Sequence, residues 1–252
     1  MTERRTIILL RGLFRDQFHW GAFVHRLKEN FPHHDILCLD IAGNGIRHRE
    51  VTPETLDEIA KDLHHQFVEL RHTGDHSADI IAISMGGMIA LRWMALYPND
   101  INKALLINTS TQSLSPFYQR LRWQRYFDLL HILVLPNYKQ EEKVIRLTSN
   151  RSWSIEELAA ITHQWANWKA EHPISCTNMY RQINACRQFS LYKQPQHAIH
   201  ILASRCDKLV NYQCSLKLAK HWSLPITIHP SAGHDIPLDD PEWVSLQAKY
   251  FF

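Results

Sequence analysis

The sequence predicts an α/β fold in which a mostly parallel central sheet is flanked by helices. Short apolar runs, of a length typical of buried strands, alternate with amphipathic stretches of helical spacing, as in βα units. The strand signal then disappears between residues 113 and 189 and returns towards the C-terminus. The sheet is therefore predicted to carry a helical insertion.

Six apolar runs are the predicted strands, at residues 7–10, 35–39, 79–83, 104–107, 199–203 and 226–229. Residues 19–30 and 88–97 have the spacing of helices between them. Thr52 and Pro53 suit the cap and first position of another helix, and the same cap-plus-proline pattern at Asp240 begins a terminal helix.

The insertion is rich in aromatic residues and arginine and contains three predicted helical stretches, at residues 117–126, 154–168 and 179–189. Ser154 and Glu157 form a capping box at the start of the second stretch. We therefore divide the chain into a core of residues 1–112 and 190–252 and a helical lid, or cap, of residues 113–189.

Composition and charge exclude several classes of protein. The 252 residues are 45% hydrophobic and 21% charged, as in ordinary globular proteins, and the net charge of +3 is too small to suggest nucleic-acid binding. The five cysteines form no CxxC pair, which favours neither a disulfide framework nor a zinc site. The first apolar run spans four residues, too short for a signal peptide or membrane span, so we expect a cytoplasmic protein.

Ser84 follows a predicted strand and precedes a predicted helix, in the sequence Ala82-Ile83-Ser84-Met85-Gly86. A serine on such a sharp strand-to-helix turn presents its hydroxyl above the sheet as a nucleophile. Asp207 and His234 lie just past the last two predicted strands. This chain order and this placement at carboxyl strand ends predict a Ser-His-Asp triad.

These motifs, together with Leu10-Arg11-Gly12 and Gly233-His234-Asp235, resemble the α/β-hydrolase fold family. The family includes carboxylesterases, pimeloyl-carrier-protein methyl esterases and a menaquinone-pathway enzyme that eliminates pyruvate. The resemblance implies that Ser84 attacks a carbonyl carbon, His234 transfers the proton and Asp207 orients the imidazole. It also implies an oxyanion hole made by the backbone N–H groups of Leu13 and Met85.

The chain departs from the family pattern at three places. Arg11 stands where the family usually has histidine, Ala42 where it usually has proline, and Ala82 where it usually has glycine. Arg11 could meet a substrate carboxylate or brace the oxyanion loop against an acid. The candidate substrate-binding residues are Arg11, Phe14, Arg15, Trp123 and Tyr126.

The main functional hypothesis is a serine hydrolase, carboxylesterase-like, that cleaves a small-molecule carboxylic ester or thioester through an acyl-enzyme. One alternative is a triad-dependent lyase of the menaquinone-pathway type, acting on a carboxylate-rich substrate. Another is a non-catalytic binding module on a hydrolase scaffold. The arginines of the predicted lid, Arg120, Arg122 and Arg125, could receive an acidic acyl-carrier protein.

Neither a cofactor nor a metal ion is expected from the sequence. His72 and His76 have a spacing that can bind metal on a helix, but Gly74 lies between them and predicts a surface loop instead.

Overall fold

A computed structural model of the chain describes residues 5–71, 77–190 and 193–252. Its strands form one sheet in the order β2-β1-β3-β4-β5-β6, and every pairing is parallel. Each predicted run is a strand, so the α/β prediction is confirmed. The strands are β1 (Thr6–Leu10), β2 (Asp35–Leu39), β3 (Ala78–Ile83), β4 (Ile101–Ile107), β5 (Ala198–Ser204) and β6 (Ile226–His229).

Helices connect the strands, and five of them lie between β4 and β5. The helices in the described part of the chain are α1 (Ala22–Asn30), α2 (Leu56–Leu70), α3 (Met85–Leu96), α4 (Phe117–Arg120), α5 (Tyr126–Ile132), α6 (Asn137–Thr148), α7 (Ile155–Glu171), α8 (Cys176–Gln188), α9 (Gln213–Trp222), α10 (Ile236–Asp239) and α11 (Pro241–Phe251).

The sheet is buried on both faces. Alternate residues of β1 contribute to two different hydrophobic clusters, Ile8 and Leu10 to one and Ile7 and Leu9 to the other. The first cluster includes residues of α2, α3 and α9, and the second includes residues of α1 and α11. Coverage on both faces explains why the strands read as continuous apolar runs rather than alternating ones.

One predicted helix start is wrong. The helix predicted to open at Thr52 and Pro53 begins instead at Leu56, after the cap Thr55, whose hydroxyl and Glu58 form a capping box. Thr52 is fully buried, and its hydroxyl donates to the Ala42 carbonyl at 2.6 Å. Because this tertiary contact uses the Thr52 side chain, Thr55 takes the capping position.

The insertion also differs from its sequence pattern. The stretch predicted as one helix over 117–126 breaks after α4, because Leu121 is extended, and a short 3-10 turn precedes α5. Helix α6 lies in a stretch for which no helix was predicted. The capping box at Ser154 is confirmed, and α7 begins there.

None of the helices within the described ranges combines the length and apolar character needed to cross a bilayer.

Candidate active site

Ser84 joins β3 to α3 through a strained backbone turn. Its φ of 57° and ψ of −117° are unusual for a residue with a side chain. The turn is held from β4, because the Ser84 N–H donates to Ile107 O at 2.8 Å and its carbonyl accepts from Thr109 Oγ1 at 3.0 Å. The strain is thus maintained by hydrogen bonds outside the turn.

The loop after β1 packs directly against this turn. A Cβ added to Gly86 would lie 2.5 Å from the carbonyl oxygen of Leu10, and one added to Gly12 would lie 3.0 Å from the Ser84 Cβ. Glycine at position 86 is therefore required by the close approach of helix α3 to β1. Ala82, which replaces the usual glycine, is fully buried, and its Cα pairs with that of Leu10 across β1 and β3.

His234 and Asp207 meet at the carboxyl edge of the sheet. His234 Nδ1 donates to Asp207 Oδ2 at 2.7 Å, and both side chains are buried. The other oxygen of Asp207 accepts the backbone N–H groups of Leu209 and Val210, each at 2.8 Å. These bonds fix the carboxylate, and with it the tautomer that leaves Nε2 free to accept a proton.

The electrostatics around His234 favour its charged form. Burial alone lowers the pKa of the imidazole, but the Asp207 carboxylate outweighs it through its charge and hydrogen bond, and Asp235 adds to the effect. The pKa of His234 therefore lies above its ordinary value of 6.5.

Two other acids near His234 in the sequence have different partners. Asp235 forms an ion pair with Arg11, and Asp240 accepts from Trp243 N at 3.0 Å as the cap of α11. Asp207 is the carboxylate that contacts His234.

Asn108 connects the loops that carry His234 and Asp207, and the sequence pattern did not identify it. Its side-chain amide donates to His234 O at 2.7 Å and accepts from Ser204 N at 2.9 Å, at the end of β5. Its φ of 48° lies in the left-handed region, which asparagine tolerates better than most residues. The sequence feature that could have pointed to Asn108 is its position immediately after the buried strand β4.

Arg11 is buried between an acid and an aromatic ring. Its NH1 and NH2 groups contact the two carboxylate oxygens of Asp235 at 3.0 and 2.5 Å. The guanidinium carbon lies 4.8 Å from the ring centroid of Trp20, and the residue is only 4% exposed. This is the loop-bracing arrangement, in which an arginine pairs with a nearby acid.

The two predicted oxyanion donors belong to two segments that meet at Ser84, helix α3 and the loop after β1. Met85 is the first residue of α3, where a backbone N–H has no carbonyl partner within the helix. Leu13 is half-buried in the loop after β1, next to Phe14, whose φ of 60° is also strained. The Phe14 N–H donates to Gln182 Oε1 on α8 at 3.2 Å, which ties this loop to the insertion.

A buried charge cluster makes a second connection to the insertion. Arg15 NH1 donates to Glu141 Oε2 at 2.7 Å, and Lys169 Nζ donates to Glu141 Oε1 at 3.0 Å. Burial raises the pKa of the Glu141 carboxyl, but the two cations outweigh it, so the pKa of this group falls below 4.5. Arg15 thus joins the loop after β1 to α6 and, through Glu141, to α7.

Trp123 and Tyr126 lie beside the loop that carries Asp207. The Arg122 N–H donates to Leu209 O at 2.9 Å, and Arg125 Nε donates to Lys208 O at 3.2 Å. Trp123 is 61% exposed and Tyr126 is half-buried.

The arginines of the insertion lie on both sides of a break in the chain. Arg120 ends α4, the chain is extended at Leu121, and Arg122 precedes and Arg125 ends a 3-10 turn at residues 123–125. Arg120 donates to Cys186 O at 2.6 Å and to Ser110 Oγ at 3.2 Å.

Metal ligands do not cluster in the described ranges, where no group of three or more histidine, cysteine or acidic side chains is arranged to hold an ion. His72 and His76, considered above as a helical metal pair, lie outside the described residues.

Comparison with known proteins assigns the family. Residues 7–247 match the Alpha/beta hydrolase family. The chain belongs to this family. The resemblance to this family, stated above from the sequence motifs, is therefore confirmed.

Two curated relatives are lipases. The chain is 30% identical to mouse (Mus musculus) monoacylglycerol lipase ABHD6 over 254 aligned positions, which cover 95% of this α/β hydrolase and 73% of the mouse protein. It is 28% identical to the human (Homo sapiens) enzyme over 127 positions, 48% of this chain and 36% of the human protein. In that second alignment the chain matches about a third of its relative's length.

Solved structures agree on the fold. A serine hydrolase from the polyaromatic-hydrocarbon-degrading bacterium Cycloclasticus zankles superimposes with a TM-score of 0.76 at 17% identity, covering 99% of this chain and 90% of that one. At this identity the likeness concerns the fold alone.

Proposed function

We propose that this α/β hydrolase is a serine hydrolase that cleaves a carboxylic ester or thioester through an acyl-enzyme. The observation that carries the proposal is the 2.7 Å hydrogen bond between His234 and Asp207, at the same sheet edge as the strained turn of Ser84. The chain order of serine, aspartate and histidine is that of the family.

The proposed mechanism assigns each group a step. Ser84 Oγ attacks the carbonyl carbon while His234 Nε2 takes its proton, and the leaving alcohol or thiol then receives that proton. Asp207 holds the imidazole and stabilises its charged form. Water, activated by the same histidine, attacks the acyl-enzyme and releases the acid.

The negative oxygen of the tetrahedral intermediate is assigned to the N–H groups of Met85 and Leu13. One such donor is typically worth about 3 kcal/mol in the transition state. The tight contact of Gly12 with Ser84 supports this assignment, because it brings the loop after β1 next to the nucleophile.

Residues 113–189 are proposed to act as a lid over this site. The proposal is supported by three contacts between the insertion and site loops, from Gln182 to Phe14, from Glu141 to Arg15 and from Arg122 to Leu209. Phe14, Trp123 and Tyr126 are then the proposed apolar contacts for the acyl group.

The lyase alternative needs arginines that can reach substrate carboxylates. Arg11 and Arg15 are paired with Asp235 and Glu141, and Arg120 contacts a backbone carbonyl. Among the residues that the structure describes, no contact favours the lyase, and burst-phase acylation by an ester would count against it. The acyl-carrier partner and the cytoplasmic location stay predictions from the sequence.

The first test is covalent labelling with a fluorophosphonate probe. Wild-type protein is expected to label and Ser84→Ala to remain unlabelled, with hydrolysis of p-nitrophenyl esters lowered by several orders of magnitude. Ser231→Ala is the matched control, because Ser231 is an exposed serine on the loop that precedes His234. Labelling that persists in Ser84→Ala would exclude this nucleophile.

The substrate class can be tested in the same assay. The names of the ABHD6 relatives make a monoacylglycerol the first natural ester to compare with p-nitrophenyl esters of graded acyl length. If the protein hydrolyses short esters but not a monoacylglycerol, it shares ester hydrolysis with the ABHD6 lipases but not their substrate.

A further inference from the structure

The Arg11–Asp235 ion pair connects two segments that are 224 residues apart in sequence. Arg11 follows β1 and directly precedes Gly12 and Leu13, on the loop that faces Ser84. Asp235 directly follows His234, and its own N–H donates to Thr148 O at 2.9 Å, at the end of α6. The pair therefore lies between the predicted oxyanion loop and the predicted base.

We propose that Arg11 and Asp235 are positioning residues, whose ion pair holds the oxyanion loop in register with His234. This inference rests on the proposed function, since it concerns the geometry of that reaction. Neither side chain contacts substrate in the proposal. Both act through their neighbours, Arg11 through Leu13 and Asp235 through His234.

The geometry favours positioning over substrate binding. The NH1 and NH2 groups of Arg11 bind both carboxylate oxygens of Asp235, and the Trp20 ring lies against the guanidinium. Both side chains are almost fully buried, at 4% and 6% exposure. A bidentate pair fixes distance and orientation together, which a single hydrogen bond does not.

Charge balance gives the pair a second effect. Asp207, Asp235 and Arg11 are the charged groups that act on His234. Asp235 raises the pKa of the imidazole and Arg11 lowers it, so the two members of the ion pair oppose each other at His234. Removing one member leaves an uncompensated charge next to the base.

Two single variants and their double variant test this inference. Arg11→Met and Asp235→Asn should each lower kcat by about 100-fold, the size expected for a misplaced catalytic loop. The acid limb of the kcat/KM profile should move to higher pH in Arg11→Met, because the carboxylate is unopposed. It should move to lower pH in Asp235→Asn, because the guanidinium is unopposed.

The double variant should return the limb close to its wild-type pH and lose no more kcat than the worse single variant. Arg11→Lys and Asp235→Glu keep the charges, so they cover the case in which the neutral variants do not fold. Each should lower kcat and leave the limb in place. The matched control is Arg92→Met with Asp57→Asn, because these residues form another bidentate pair, on α3 and α2, that is partly exposed.

The outcomes separate the two proposals. If wild-type protein labels at Ser84 but both single variants keep wild-type kcat and pH dependence, the positioning role is wrong. Limbs that move in the same direction in both variants would also overturn it. If wild-type protein neither labels nor hydrolyses any ester, the proposed function itself fails, and the positioning role fails with it.

Discussion

At the scale of single residues, the site depends on a histidine whose charge is set by its neighbours. Asp207 raises the pKa of His234 against the opposing effect of burial. The proposed reaction needs this imidazole neutral so that it can take the Ser84 proton. Activity should therefore be lost on acidification before an ordinary histidine would titrate.

For wild-type protein we expect kcat/KM for a p-nitrophenyl ester to rise with pH through an apparent pKa above 6.5. Because one protonation of His234 causes the loss, log kcat/KM should fall with a slope of one below that value and recover when the pH is restored. Asp207→Asn should lower kcat by several orders of magnitude, since the imidazole loses the group that selects its tautomer. An acid limb at or below 6.5 in the wild type would contradict this account of His234.

Residues next to strand ends could be predicted from the sequence, whereas contacts between distant segments could not. Ser84, Asp207 and His234 were predictable because each follows an apolar run that marks a strand end. Asn108 was not, because its partner His234 lies 126 residues away and no local pattern encodes that contact. The partner of Arg11 was left open for the same reason.

At the scale of elements, regular apolar spacing was enough to predict the strands, whereas tertiary contacts shifted helix ends. Thr52 had the chemistry of a cap but is used by the Ala42 carbonyl. Helix α6 was missed, although its buried Ile145 packs with Leu158 and Trp165 of α7. Helix α6 is stabilised by packing against α7, and the apolar spacing of α6 alone does not reveal that contact.

Glu141 is the residue through which α6 contacts the loop after β1, so its substitution should weaken the attachment of the insertion to the core. Glu141→Gln should lower the free energy of unfolding by about 3 kcal/mol, because Arg15 and Lys169 lose their shared, buried partner. In a chain of this size that corresponds to a Tm decrease of roughly 6–12 °C. Thermal and urea unfolding would measure it.

Glu142→Gln is the matched control, one position along the same helix. Its carboxylate contacts Lys139 and Arg146, which are both more than half exposed, so the change should cost less than about 1 kcal/mol. Equal destabilisation by the two variants would show that burial of Glu141 does not matter. The pKa of Glu141 is lowered in the folded state, so its stabilising contribution should be present near neutral pH and decrease on acidification.

At the scale of the whole molecule, stability must respond to pH through groups on the loops that surround the sheet edge. Asp40 follows β2 and is buried, with its carboxylate accepting from the Gln17 backbone N–H at 2.7 Å and from Ile46 N at 3.3 Å. Burial, helped by the nearby Asp16 carboxylate, raises the pKa of Asp40 to about 6 despite these hydrogen bonds.

The sign of this effect is opposite to that of Glu141. Because the Asp40 pKa is higher in the folded state than its ordinary value of 3.8, the folded state binds more protons between these two values. The contribution of Asp40 to stability therefore decreases as pH rises from about 4 to about 6. A rise from 3.8 to about 6 corresponds to about 3 kcal/mol at most.

Asp40→Asn should remove this dependence. The lost acceptor changes stability by an amount that does not vary with pH, so the difference between variant and wild type is the quantity to follow. As pH rises from 4 to 6, that difference should shift in favour of the variant by up to about 3 kcal/mol in urea unfolding. Asp57→Asn is the matched control for the loss of a carboxylate, because Asp57 is a half-exposed acid on α2. A constant difference for Asp40→Asn would mean that the pKa of Asp40 is not raised by folding.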